Sequence, residues 1–260
     1  MRMEDYLKVE ATAVRRCPAR QLCPIGALCE EMTSEDEENP LFPAIVDCPR
    51  GQIAWTDPHS EQRVFFIKSG IFSCVSGLDN NQEVPFALYG CGHAAGLGEL
   101  YIPRTVGRTY YLRAISHGTL CSLPAKPLRR RLESTPQAYA LAVMSSALTN
   151  LSSAAYAQEK LVSRPLLSER IALLIIRLRH LAAREGRDLD EIRLTHEELA
   201  ALVASDRTSV SRALQRMAQD GLVELGYRRI KPTAGFDSLE GLDALRGDAC
   251  AQFHPAPTKL

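Results

Sequence analysis

The chain has 260 residues, 45% of them hydrophobic and 24% charged, enough apolar material for a packed core and too much for a disordered polymer. Its 31 basic and 31 acidic side chains cancel to a formal net charge of zero, which excludes a uniformly charged polyelectrolyte. The longest apolar run, Ile171 to Ile176, falls far short of the roughly 18 residues a bilayer crossing needs, and Met1-Arg2-Met3-Glu4-Asp5 leads into no apolar leader core; a cytoplasmic protein is expected.

Residues 1–40 read as irregular. They hold Pro18, Pro24 and Pro40, three closely spaced cysteines (Cys17, Cys23 and Cys29), and an acidic run from Glu30 to Glu38 with no base. In a reducing compartment these thiols are not expected to form structural disulfides. Cys48, Cys74, Cys91, Cys121 and Cys250 are scattered and read as small buried hydrophobes.

Residues 41–134 alternate short β-prone segments with Gly, Pro, Asn and Asp. Strands are predicted at Gln52–Trp55, Arg63–Ser69, Ile71–Val75, Val84–Leu88, Tyr110–Ala114 and Leu120–Leu123. Spacings near ten residues point to an antiparallel roll or sandwich. Turns are expected at Ser69-Gly70, Ser76-Gly77, Asp79-Asn80-Asn81, Tyr89-Gly90 and His117-Gly118.

At Ser134-Thr135-Pro136 the pattern changes. Thr135 is expected to cap a helix that starts at Pro136, because proline lacks the donor that the first helical position leaves idle. Leu141, Met144, Leu148, Leu151 and Ala155 then recur at 3-4-3-4 spacing, a seam that favours pairing with another helix, the alternative being a helix that lies on its own domain. This gives a dimerisation helix over residues 135–164. Its seam is thin, flanked by Ser and Ala, and so predicts a weak and controllable dimer.

Pro165 ends that helix, and an apolar helix follows over Leu166–Arg184. Thr195-His196-Glu197-Glu198 fits a capping box opening a helix over Glu197–Val203. Ser205 or Asp206 can cap the next helix, Arg207–Gln219, which Gly221 stops; Leu222 to Ile230 reads as a hairpin. Helix, short turn, helix and two-stranded wing over residues 165–232 make a winged helix-turn-helix. The predicted class is therefore α+β: a β-roll, a long dimerisation helix and a winged helix-turn-helix, with a loose tail at 233–260.

On the second helix Arg207, Thr208, Ser211 and Arg212 share one face, while Val210, Leu214 and Met217 form the apolar stripe opposite. An arginine fork matches guanine O6 and N7, and hydroxyls serve bases or phosphates, so this face is read as contacting double-stranded DNA. Arg228, Arg229 and Lys231 on the wing are placed to meet phosphates. A glycine run at Gly90, Gly92, Gly96 and Gly98 lacks the strand-then-helix context of a dinucleotide fingerprint, and no nucleophile–base pair stands at a known spacing, so no enzyme is expected.

The segment from Leu194 to Leu225 resembles the DNA-binding domain of the CRP/FNR family of bacterial regulators, and the resemblance extends over about residues 40 to 232. It implies a homodimer reading a two-fold palindrome. The fumarate-and-nitrate-reductase branch usually carries Glu, Ser and Arg at its base-reading positions; this chain has Thr208, Ser211 and Arg212 there. Cys23-Pro-Ile-Gly-Ala-Leu-Cys29 is similar to that branch's C-x5-C pair, and Cys121 aligns with its distant cysteine. With Cys17, the resemblance implies a [4Fe–4S] cluster on four thiolates that senses oxygen. Cys17 departs from the branch's C-x2-C step by lying six positions before Cys23. A zinc site, a dithiol switch and plain free thiols stay open for the same cysteines. Gly98-Glu99-Leu100 with Arg108-Thr109 resembles half of the family's cyclic-nucleotide cassette; haem through His93 or His117 has no pattern behind it. A surface for RNA polymerase, if the chain activates transcription, is placed at the Asp79–Gln82 turn.

Overall fold

The computed structural model describes residues 17, 19–31, 41, 43–54, 62–77, 83–101 and 110–238. A one-turn helix α1 (Leu28–Glu31) precedes the strands β1 (Ala44–Cys48), β2 (Ile53–Ala54), β3 (Arg63–Ser69), β4 (Phe72–Gly77), β5 (Glu83–Tyr89), β6 (Ala94–Ala95), β7 (Tyr110–Ala114) and β8 (Gly118–Pro124). They pair antiparallel in two four-stranded sheets, ordered β1-β8-β3-β6 and β2-β7-β4-β5. Then come α2 (Ala125–Glu133), the long α3 (Gln137–Val162), α4 (Leu167–Ala183), α5 (His196–Leu202), α6 (Arg207–Gln219), the hairpin β9 (Val223–Gly226) and β10 (Arg229–Pro232), and α7 (Ala234–Asp237). The expected α+β architecture of roll, long helix and winged domain is present.

Successive side chains of a strand point to opposite faces, and β3 uses both. Phe65 and Ile67 enter the space between the sheets with Phe72, Leu112 and Leu120, whereas Val64 and Phe66 join an outer cluster with Ile25, Leu28, Leu123 and Val143. In β8, Leu120 points into the inter-sheet core, and Cys121 packs at the edge of the outer cluster. The tight turn after β3 depends on Gly70, whose φ is +86° and whose missing Cβ would fall 2.5 Å from the Cα of Gly118.

Several local expectations are corrected. The sequence pattern predicts none of β1, β6 and α2: β1 carries the exposed Asp47, β6 is two alanines, and α2 buries only Ala125, Leu128 and Leu132 among charged residues. Thr135 does not cap α3. Its hydroxyl donates back to Leu132 O at 2.7 Å, and that of Ser134 to Arg131 O at 2.8 Å, so both finish α2 instead. Ser76-Gly77 belongs to β4, and α7, with a fully buried Phe236, stands where a loose tail was expected. Cys48, Cys74 and Cys91 are buried as read; the Asp79–Gln82 turn, Cys250 and the rest of the tail lie outside the described residues.

The 26 residues of α3 span about 39 Å. One stripe (Tyr139, Val143, Ser146, Asn150, Ala154, Ala157, Leu161) is buried against its own chain. Of the predicted seam, Leu141, Leu148 and Leu151 stand 61%, 64% and 37% exposed, and Met144 is half-buried against the outer cluster.

The roll and the winged domain share a core. Ile71 and Leu88 belong to the same buried cluster as Ile171–Ile176 of α4, Leu199 of α5, and Val210 and Leu214 of α6. At this junction Arg177 Nη2 donates to Leu88 O at 3.4 Å, and Arg184 Nη1 lies 3.2 Å from His93 Nδ1, which is also 3.0 Å from Gly90 O. The imidazole stacks on Tyr89. Burial, then the charges of Arg184 and Arg177, push the His93 pKa down to about 3, so the ring is held neutral. An unfolded histidine titrates near 6.5, so the unfolded chain takes up the extra proton first as pH falls. Stability supplied by neutral His93 is therefore complete above about pH 6.5 and declines between there and pH 3. Urea midpoints measured from pH 7 to 4 should fall steeply for the wild type and less steeply for His93→Asn.

Candidate nucleic-acid interface and cysteine site

The helix-turn-helix is set by two caps. Thr195 Oγ1 accepts from Glu198 N at 3.1 Å while Glu198 Oε2 accepts from Thr195 N at 2.7 Å, closing the box that fixes the start of α5. Asp206 Oδ1 accepts from Ser209 N at 2.8 Å and starts α6, and these hydrogen bonds hold the Asp206 carboxyl below its ordinary range. Between the helices, Arg170 Nη1 donates to Val203 O and Ala204 O at 3.4 and 3.3 Å, fastening the turn to α4.

Val210, Leu214 and Met217 of α6 are buried, as their spacing predicts. Arg207, Thr208 and Arg212 are exposed and Ser211 is half-exposed. Among the described residues none of these four side chains is held in an ion pair, so the face stays open to a ligand. On the wing, Arg228 sits at the tip with φ +53°, beside Tyr227, which is 93% exposed. Arg229 is drawn aside: its Nη1 lies 3.6 Å from Glu191 Oε2, a carboxylate that Arg193 also binds, and Lys231 lies 4.0 Å from Glu224. Sequence reasoning passed over Tyr227, whose one signal is an aromatic residue beside the basic pair.

Cys23, Cys29 and Cys121 pack on the margin of the same outer cluster, and the half-buried Cys17 is close enough for its charge to act on Cys29 and Cys121. Residues 17–31 coil through successive turns: Arg20 N donates to Cys17 O, Cys23 N to Ala19 O, Gly26 N to Cys23 O and Cys29 N to Ile25 O. The coil is so tight that a Cβ on Gly26 would fall 2.2 Å from Arg20 O. Ile25 and Leu28 are fully buried and pin it to the outer face of the β1-β8-β3-β6 sheet, beside Cys121. Burial pushes the Cys23 and Cys121 thiols well up and Cys29 to about 11. The charges of neighbouring cysteines act next: Cys29 and Cys121 on Cys23, Cys17 on Cys29, and Cys29 and Cys17 on Cys121. Arg20, Lys68 and Arg63 act in the opposite sense, a cationic rim favouring thiolates.

Tyr139, in the first turn of α3, is buried in the same cluster as Ala27 and Leu28. Its hydroxyl faces the Ala27 and Leu28 amides and feels Cys23 and Cys29, yet makes no hydrogen bond of standard geometry; burial pushes its pKa up to about 12. Sequence spacing gave no sign of this contact between the cysteine coil and the long helix. Among the described residues no three Cys, His, Asp or Glu side chains converge as a single metal ion requires.

Glu99 falls in a 3-10 turn, Gly98–Tyr101, while Arg108 and Thr109 lie outside the described residues. His93 is buried at the domain junction, and exposed His117 lies 3.0 Å from Asp47 Oδ1.

Residues 169–233 match the Crp-like helix-turn-helix domain. No curated protein matches the chain by sequence. Among solved structures, a CRP-family transcriptional regulator from Thermus thermophilus is 20% identical with a TM-score of 0.59, covering 80% of this chain and 98% of that one. A putative CRP/FNR-family regulator from Eubacterium rectale is 18% identical at TM-score 0.58, covering 79% and 90%. The c-di-GMP-responsive regulator CLP from Xanthomonas campestris is 17% identical at TM-score 0.58, covering 74% and 94%. The fold is thus that of CRP-family regulators. No helix among the described residues is long and apolar enough to cross a membrane.

Ala204, in the turn of the motif, has φ +51°, the left-handed backbone that costs a side-chain-bearing residue about 1 kcal/mol. Ala204→Gly should therefore raise stability by about that amount, read as an upward shift in Tm.

Proposed function

We propose that the protein is a homodimeric transcriptional regulator that reads a palindromic operator and is governed by an oxygen-sensitive [4Fe–4S] cluster on Cys17, Cys23, Cys29 and Cys121. The DNA-reading half is carried by one observation: the polar face of α6 stands open while its apolar face is locked in the core. Arg212 and Arg207 supply donors for base edges, Thr208 and Ser211 supply hydroxyls, and Arg228 meets a phosphate from the wing tip. Two copies pair through Leu141, Leu148 and Leu151, with Met144 at the seam's inner edge; these are large apolar side chains that a monomer would leave in water.

The sensory half is supported by Cys23, Cys29 and Cys121 packing on the cluster that holds Tyr139 and Val143 of α3, with the charge of Cys17 acting on Cys29 and Cys121. A bound cluster supplies a link between sulfurs that oxygen breaks. The chain does the rest. Ile25 and Leu28 seat the coil, and the packing of Ala27 and Leu28 on Tyr139 and Val143 sets where α3 begins. That placement sets the angle at which the exposed leucines meet their counterparts. The ligand has only to favour the paired arrangement by a few kcal/mol. A nucleotide-responsive sensor is the competing reading, supported by the turn at Glu99 and by likeness to a c-di-GMP-responsive regulator. RNA polymerase is the expected downstream partner.

Anaerobic purification should give coloured protein with roughly four iron and four sulfide per chain, dimeric by sedimentation, and air should bleach it and weaken the dimer. Colourless protein without iron would remove the sensory half, and zinc in its place would reassign it. In gel shifts, Arg212→Ala should cost roughly 1–3 kcal/mol and relax selectivity at one base pair, whereas Arg228→Ala should weaken all duplexes alike and flatten the salt dependence.

A further inference from the structure

One contact runs from the roll to the DNA-reading motif itself. Arg50, in the turn between β1 and β2, donates from Nη2 to Glu198 Oε2, across 148 positions of sequence. The same oxygen accepts from Thr195 N at 2.7 Å and Thr195 Oγ1 at 2.8 Å. Both partners are about seven-tenths buried. A guanidinium at a helix N-terminus meets the positive end of the helix dipole, so Arg50 is tolerated there only because the Glu198 carboxylate stands between. The turn that carries Arg50 is itself held: Gly51 N donates to Ala114 O at 2.8 Å and Gln52 N to Pro49 O at 3.0 Å. The strand before it is registered on β8, with Ile45 opposite Cys121. Arg177 of α4 and Arg184 just beyond its end also tie to the roll, through Leu88 O and His93 Nδ1. Gln158 Nε2 of α3 steadies the far end of α5 through Leu202 O at 2.8 Å.

We propose that Arg50 is a positioning residue for DNA reading: through Glu198 it fixes the angle at which the roll presents α5, and with it the α6 face. The inference rests on the DNA-binding reading above and is independent of what the cysteines hold. Arg50 touches no base or phosphate in this role, so its loss should affect only DNA whose recognition needs both reading helices correctly aimed.

The test uses full-length protein and two duplexes: one selected by the wild type from random sequence, and one of scrambled sequence. Arg50→Gln should weaken the selected duplex by about five- to tenfold and leave the scrambled duplex and the thermal midpoint near wild type. Arg50→Lys, which keeps the charge, should recover part of the loss. Glu198→Gln keeps an acceptor for the capping box but loses the charge. It should match Arg50→Gln, and the double variant should lose no more than either single one. Hydrogen exchange should rise in α5 and in the 49–52 turn together. Wild-type affinity for the selected duplex in Arg50→Gln, additive losses in the double variant, or equal weakening on both duplexes would each overturn the proposal. A wild type that selects no duplex would overturn the DNA-binding reading, and this inference with it, an outcome recognisable because it appears before any variant is made.

Discussion

The division of α3 between a buried stripe and an exposed one constrains everything else in this molecule. One stripe of the helix, from Tyr139 through Val143 to Leu161, is consumed by its own chain, while Leu141, Leu148 and Leu151 are left in water. The two faces of one helix cannot move independently. Any rearrangement of the roll that turns the inner stripe must also turn the outer one. The cysteine coil packs on the first turn of this helix, and the reading domain hangs from its last. Coil and reading domain are therefore joined through α3 as well as through the roll's own contacts with that domain at Ile71, Leu88 and Arg50.

Electrostatics divides the site in the same economical way. Cys23, Cys29 and Cys121 are drawn out of water, which disfavours their charged form, yet Arg20 and Lys68 beside Cys29, and Lys68 and Arg63 beside Cys121, favour it. At the reading surface the reverse holds. Arg229 and Lys231 are partly satisfied by Glu191 and Glu224, so the wing's net offer to a phosphate is concentrated at Arg228. A neutral chain with equal numbers of acids and bases can thus present one locally cationic face.

The reading domain was legible because its signals are local. The capping box acts over three residues, the apolar stripe of α6 over a turn, and both appear where the sequence places them. The strands with alternating apolar residues were legible too. β1, β6 and α2 were not, since each is short and owes its form to neighbours distant in sequence. Thr135 was misassigned because a hydroxyl before a proline can equally finish the preceding helix as start the next. The cysteine trio announced itself by spacing. Its meeting with Tyr139, and the reach of Arg50 to Glu198, depend on tertiary packing that no local pattern encodes.

The buried stripe of α3 also carries Ser146, Asn150 and Gln158, polar groups sunk among apolar ones. The Gln158 amide is spent on the Leu202 carbonyl. Advancing the helix one turn along its axis would strand that carbonyl, and deeply buried polar atoms tolerate such exile poorly. The last turns of α3 are thereby tied to the end of α5, and sliding the helix along its own axis would cost that buried hydrogen bond.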